Sequence, residues 1–142
     1  MTKIVDGSLI KGLHVATSGM IAQNKRLLLI SQNIANASSR GEGPNAEPYR
    51  RKIAQFQSLY DKKTGAQLVK VKQVKLDKTP YRKIYSPGDP SADEKGYVYE
   101  SNVQPLIEVA DMREAGRSHE ANTKAFEKIL QTIQNYLGLL KS

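Results

Sequence analysis

Two apolar stripes, one at each end of the chain, constrain its fold more than anything else in the sequence. The first reads Leu9, Leu13, Ala16, Met20, Gln23, Leu27, Ile30, Ile34, Ala37, in steps that alternate between four and three residues. Gln23 is its one polar member. The second reads Val109, Met112, Gly116, His119, Thr123, Phe126, Leu130, Ile133, Leu137, Leu140 in the same rhythm. That spacing places each set on one narrow seam of an α-helix. At about 1.5 Å per residue, helices over 9–37 and 103–140 would be about 44 and about 56 Å long. A compact chain of 142 residues has a radius of gyration of only about 14–15 Å. Helices of that length overrun a globule, so they either break or bury their seams on other chains.

Composition favours the second outcome. Apolar residues make up 39% and aromatics 6%, with no Trp and two Phe, which is a thin supply for a compact core. Gly12, Gly19, Gly116 and Gly138 each cost about 1 kcal/mol relative to alanine in a helix interior. Such helices are marginal alone and need packing partners, and glycines let helices approach closely. The expected fold is mainly α with a small β insert. Long N- and C-terminal helices pair as a coiled coil around a short, hairpin-type middle region. The divisions are 1–37, 38–101 and 102–142, within one structural unit. Two helices with one narrow seam each bury little on one another, so lateral association with further chains follows.

The helix ends carry their own signals. Asn33-Ile34-Ala35-Asn36-Ala37 continues the first seam through Ile34 and Ala37 and leaves the two asparagines beside it. Each amide can donate and accept, so the pair is expected to tie the helix exit to its following loop or to a neighbour's backbone. Ser38, Ser39 and Gly41 end the helix. Pro105 suits the first turn of the second helix, with Asn102 or Ser101 as its cap. Between the helices, YRRKIAQFQSLY and QLVKVKQVKL read as strands, YSPGDPSADEKGY as turns, and YVYE as a short strand.

The net charge is +8, and residues 50–83 alone carry eleven Lys or Arg against Asp61 and Asp77, a net of +9. The basic character therefore belongs to the middle of the chain. It reads either as a solvated strand face, whose lysines discourage edge pairing, or as contact with an anionic partner. The candidates for such contact are Arg50, Arg51, Lys52, Lys70, Lys72 and Lys75. A basic nucleic-acid-binding protein is the alternative reading, although the aromatics do not interleave as a stacking platform.

Nothing points to catalysis. His14 and His119 stand apart with no partner at ligand spacing, there is no cysteine, and no glycine-rich phosphate loop occurs. Asp93-Glu94 and Glu108/Asp111 have ordinary reasons to sit in a turn and in a helix's first turns. No enzyme, cofactor, metal site or small-molecule substrate is expected. No apolar run reaches the roughly 18 residues of a membrane helix. Leu27–Ile30 is too short for the roughly 7–15-residue core of a signal peptide. Membrane insertion and a cleaved signal are therefore not expected.

The architecture, together with Asn33-Ile34-Ala35-Asn36-Ala37 after LLLISQ, resembles the axial proteins of the bacterial flagellum. Three further segments narrow the resemblance to the proximal rod proteins of the basal body. They are GPNAEPYRRK, YSPGDPSADEKGYV over 85–98, and NVQPLIEVADMREAGRSHEAN over 102–122. His119 stands where members of that family usually have an aromatic residue. The resemblance implies a structural subunit that polymerises helically with copies of itself and other rod proteins. The product would be a hollow shaft that transmits motor torque and encloses the export channel. It implies export without a cleaved signal and a place in the periplasmic rod, with the hook–basal body adaptor and the export apparatus as neighbours and no nucleic acid. The assembly interface would draw on the seams and the helix exit: Leu13, Met20, Leu27, Ile30, Asn33, Ile34, Asn36, Met112, Phe126, Leu130, Ile133, Leu137 and Leu140.

Overall fold

The computed structural model describes residues 2–142, with side chains from Gly7 onward. Two long helices, α1 (Thr2–Ala35) and α2 (Pro105–Lys141), flank four strands. β1 (Lys52–Asp61) pairs with β2 (Ala66–Leu76), and β3 (Arg82–Tyr85) pairs with β4 (Tyr97–Glu100) in a second two-stranded sheet. The expected mixture of long helices and a small β insert is therefore present. β3 had no signal in the sequence, because its four residues are all exposed and show no alternation.

The residues group into two compact units. One comprises 1–25, 55–73 and 114–142, and the other 26–54 and 74–113. In the first, α1 and α2 run antiparallel. Gly12 faces Ile129, Gly19 faces Asn122, and the Thr123 hydroxyl donates to the Met20 sulfur at 3.3 Å. A Cβ on Gly19 would stand 2.6 Å from the Asn122 amide nitrogen, so alanine here requires that amide to shift. A Cβ on Gly116 or Gly138 would meet nothing within 4 Å among the described residues, the helix's own backbone aside. Ala16 and Ala22 are buried here. Gln23, the polar member of the first seam, encloses an Oε1 that has no hydrogen-bond partner among the described residues.

In the second unit, the buried apolar set is Leu29, Ile30, Ala37, Val98 and Val103. β3 and β4 are antiparallel, with Ile84 opposite Val98 and Tyr85 opposite Tyr97. Their connecting loop turns at Asp93, which accepts the Lys95 and Tyr97 amides, and at Gly96, whose φ of 81° favours glycine. The exit of α1 is closed locally: Asn36 donates its amide NH2 to the Gln32 carbonyl at 2.8 Å. Pro105 opens α2 as expected. The cap differs from expectation. Asn102 points away from the helix, accepts the Arg51 N–H at 2.7 Å, and donates to the carbonyls of Asp77 and Thr79. The Arg51 N–H would otherwise lie unpaired beside a buried side chain, which outweighs a capping bond.

Candidate functional site

The second unit is organised around a buried polar junction that joins the end of α1 to the start of α2. Asn33, in the last turn of α1, is 1% exposed and uses its whole amide. Its NH2 donates to the Lys52 carbonyl at 2.9 Å and to Glu108 Oε2 at 3.0 Å. Its Oδ1 accepts the Lys52 N–H and the Tyr49 hydroxyl, both at 2.9 Å. The tie from helix exit to following segment is thus made by Asn33 within the chain, while Asn36 stays local.

Glu108, in the first turn of α2, is fully buried. Its second oxygen accepts the Arg51 Nε–H. The Arg51 guanidinium continues to Asp77 Oδ2 at 3.3 Å and Asp111 Oδ2 at 3.1 Å. Burial opposes the charge on Arg51, but the hydrogen bond and field of Glu108 outweigh it and hold the pKa above the ordinary arginine value. Burial, and then Glu108, push the Tyr49 hydroxyl up. Hydrogen bonds from the Thr79 hydroxyl and N–H, with Arg51 behind them, hold Asp77 below the ordinary aspartate value.

A second knot lies beside the first. Arg40 bonds Glu100 through Nε at 3.0 Å and Nη2 at 2.9 Å, and also reaches Asp89. Arg82 joins Glu100 at 3.2 Å and the Ala37 carbonyl at 2.9 Å. Each of these carboxylates is occupied by a guanidinium, so the arrangement fixes chain segments and leaves no free acid or base. Among the described residues, no group of three His, Asp or Glu could hold a metal ion.

The cations singled out in the sequence separate into two kinds. Arg51 is spent on Glu108, Asp77 and Asp111, and Arg50 lies 4.2 Å over the Tyr81 ring and donates to the carbonyls of Asp77 and Thr79. Lys52 lies 5.5 Å from the Tyr49 ring. Lys70, Lys72 and Lys75 are exposed on β2.

The seam residues separate similarly. Ile30 and Asn33 are buried within the chain. Leu13, Met20, Leu27, Ile34, Asn36, Met112, Phe126 and Ile133 are half-buried. Leu130, Leu137 and Leu140 are exposed. The structure also exposes apolar residues outside the seams: Ile10, Ile21 and Leu28 on α1, and Leu106, Ile107, Val109 and Leu139 on α2. Ile10, Ile21 and Leu28 are 11 and 7 residues apart, so at 100° per residue they share one stripe to within about 20°. That spacing was available in the sequence as a second α1 row. Ile21 also borders an apolar groove of about 310 Å³ that includes Ala22 of α1 and Leu59, Leu68, Val69 and Val71 of the hairpin.

Acid should loosen the junction in a defined direction. A carboxylate whose folded pKa is depressed contributes stability above its unfolded value, and that contribution is lost as pH falls through the folded value. Stability should therefore be level above about pH 5 and fall below about pH 4, the ordinary aspartate region. Asp77→Asn should make that fall shallower in urea unfolding curves recorded from neutral to acid pH. An unchanged slope would remove Asp77 from the account.

Comparison with known proteins gives a consistent result. Residues 13–44 match the family described as flagella basal body rod protein, and residues 94–138 match the C-terminal family of the flagellar basal body rod FlgEFG proteins. The flagellar basal-body rod protein FlgC of Agrobacterium fabrum is 44% identical over 128 residues, covering 90% of this chain and 92% of that protein. FlgC of Salmonella typhimurium is 36% identical over 132 residues, covering 92% and 93%. FlgC of Bacillus subtilis is 36% identical over 128 residues, covering 80% and 85%. Among the described residues, no helix is long and apolar enough to cross a membrane.

Proposed function

This chain belongs to the FlgC family of flagellar basal-body rod proteins, and from that premise we propose how it is built into the rod. Its role is structural rather than catalytic, and membership of the family implies assembly with other rod components. The family lends no support to the nucleic-acid alternative.

The observation that carries the proposal is the apolar surface left on both helices. Ile10, Ile21 and Leu28 on α1, and Leu106, Ile107, Leu137, Leu139 and Leu140 on α2, are all exposed. So many large apolar side chains on two helices mark surfaces that other chains cover. In the rod, α1 and α2 form a coiled-coil-like inner layer around the export channel, and the exposed rows pack on copies of the chain and on other rod proteins. The half-buried seam residues Leu13, Met20, Leu27, Ile34, Met112, Phe126 and Ile133 complete that layer. Lys70, Lys72 and Lys75 face an anionic neighbour. The subunit is exported without cleavage and assembles in the periplasm, with the hook–basal body adaptor and the export apparatus at the ends of the growing shaft.

The deciding experiment is mass spectrometry of purified, detergent-extracted hook–basal bodies from the source cell, beside a deletion strain. The chain should be present in amounts comparable to other rod subunits, and the deletion strain should be non-motile and lack rods. Intact basal bodies without this chain would overturn the proposal.

A further inference from the structure

The apolar groove of the first unit, between α1 and the hairpin, combines dry walls with unanswered positive charge. Ala22 is buried beside it, while Ile21 and Leu59 line it and stay exposed. Ser18 brings a hydroxyl to the wall, and that group is already used twice. It donates to the Val15 carbonyl at 2.8 Å and accepts the Val69 N–H at 3.1 Å. Lys25 and Lys70 complete the lining. Both are exposed, and among the described residues neither forms an ion pair. The segments that frame the groove, 18–25 and 55–73, contain five lysines and one acid, Asp61. Asp61 is engaged in the hairpin turn, where it accepts the Lys63 N–H and the Thr64 hydroxyl.

We propose that this groove receives an acidic segment of a different rod component, which inserts an apolar side chain and sets its carboxylates on Lys25 and Lys70. The proposal deepens the rod role and rests on it.

Size, polarity and charge select that occupant. About 310 Å³ is the small end of the range for binding clefts, which suits an anchor side chain better than a whole helix face. With the Ser18 hydroxyl saturated, a Tyr or Trp anchor would bury an unpaired O–H or N–H. The anchor is therefore Leu, Ile, Met or Phe. A lysine ammonium is a compact charge on a flexible stem, so it meets a carboxylate from many directions. Two of them beside an apolar cleft favour acids flanking the anchor and speed the encounter. The same charge disfavours a second copy. The chain carries a net charge of +8. Its exposed Leu137, Leu139 and Leu140 adjoin Lys141, and Glu127 near Leu130 lies between Lys124 and Lys128 in sequence. Docking either stretch would bring further cations to Lys25 and Lys70, which is a barrier against self-pairing.

The test places the photo-crosslinker p-benzoylphenylalanine at Leu59 of the hairpin and, in a separate strain, at Ile21 of α1. Each full-length chain is expressed in the deletion strain. After irradiation, hook–basal bodies are purified and the cross-linked sites are mapped by mass spectrometry. Both positions should capture the same segment of another rod component, with Asp or Glu within four residues of the attachment site. Lys25→Glu combined with Lys70→Glu should lower the yield per incorporated subunit at least about tenfold. Lys25→Arg combined with Lys70→Arg should preserve it. Capture of a second copy, of lipid, or of a segment without acids would overturn the proposal. A yield indifferent to charge reversal would do the same, as would the lack of any adduct from subunits that are present in basal bodies. Basal bodies without the chain would remove the rod role itself, and this proposal with it.

Discussion

Arg51→Ala is expected to cost about 3–5 kcal/mol of folding stability, the range seen when one member of a buried ion pair is removed. The loss arises mainly from what stays behind. Glu108 is fully buried and would retain only the Asn33 amide as a partner, with Asp77 and Asp111 crowded beside it. Arg51→Lys should recover only part of the loss, because a single ammonium cannot serve three carboxylates with the planar fork of a guanidinium. Arg51→Met combined with Glu108→Leu should recover most of it, since no buried charge is then left unpaired. The exposed pair Lys124–Glu120, 2.7 Å apart at i,i+4 spacing, provides the contrast. Breaking it should leave the urea midpoint essentially unchanged, because solvent screens an exposed pair. Urea unfolding followed by circular dichroism would measure all four variants. A loss under about 1 kcal/mol for Arg51→Ala would show that water replaces the guanidinium and that the cluster is not the keystone of its unit.

Asn33→Ala is the second large effect, at about 3 kcal/mol. It removes four hydrogen bonds at once. The Lys52 N–H and carbonyl, the Tyr49 hydroxyl and one oxygen of Glu108 lose their partner in a closed site. Asn33→Asp should be no better, because it loses both donors and sets a carboxylate next to Glu108. Asn36→Ala removes one local bond, to the Gln32 carbonyl, and should cost under about 1 kcal/mol. Swimming assays on the two single variants should separate them in the same order. Equal losses from Asn33→Ala and Asn36→Ala would mean that burial is not what makes Asn33 matter.

The helices were legible because their signal is local and repeated many times over. The second seam also shows where that reading drifts. A strict alternation of three and four selects Leu130, Leu137 and Leu140 in the second half of α2, and these are exposed. The half-buried face runs instead through Ile129, Ile133 and Tyr136. An α-helix turns every 3.6 residues rather than 3.5, so a strict heptad slides off the contact face by about 20° per repeat unless the helices supercoil to follow it. The hairpin was legible through alternation, and close approach at Gly12 and Gly19 through glycine's lack of a side chain. The polar junction was not. Glu108 resembles any acid in a first helical turn, and its partner Arg51 lies 57 positions away inside a run of cations. Distance in sequence carries no information about which charge is neutralised in the interior. The amides of Asn33 and Asn36 stood out as a pair, but only packing separates the buried one from the local cap.

The stitching beside the second knot has a topological consequence. The Ser101 N–H donates to the Ser39 carbonyl at 3.1 Å, Arg40 and Glu100 form a β-bridge, and their side chains are bonded as well. The chain is thereby closed on itself between points 60 residues apart. Asn33 and Glu108 hold Tyr49, Arg51 and Lys52 inside that closure, so the hairpin beyond them is a loop whose ends have already been brought together. Loop-closure entropy grows only with the logarithm of length, about 0.6 kcal/mol for each doubling. A chain fastened in this way could exchange its hairpin for a much larger insertion at little thermodynamic cost, while the roots of both helices stay where they are. One helical frame could then carry decorations of many sizes.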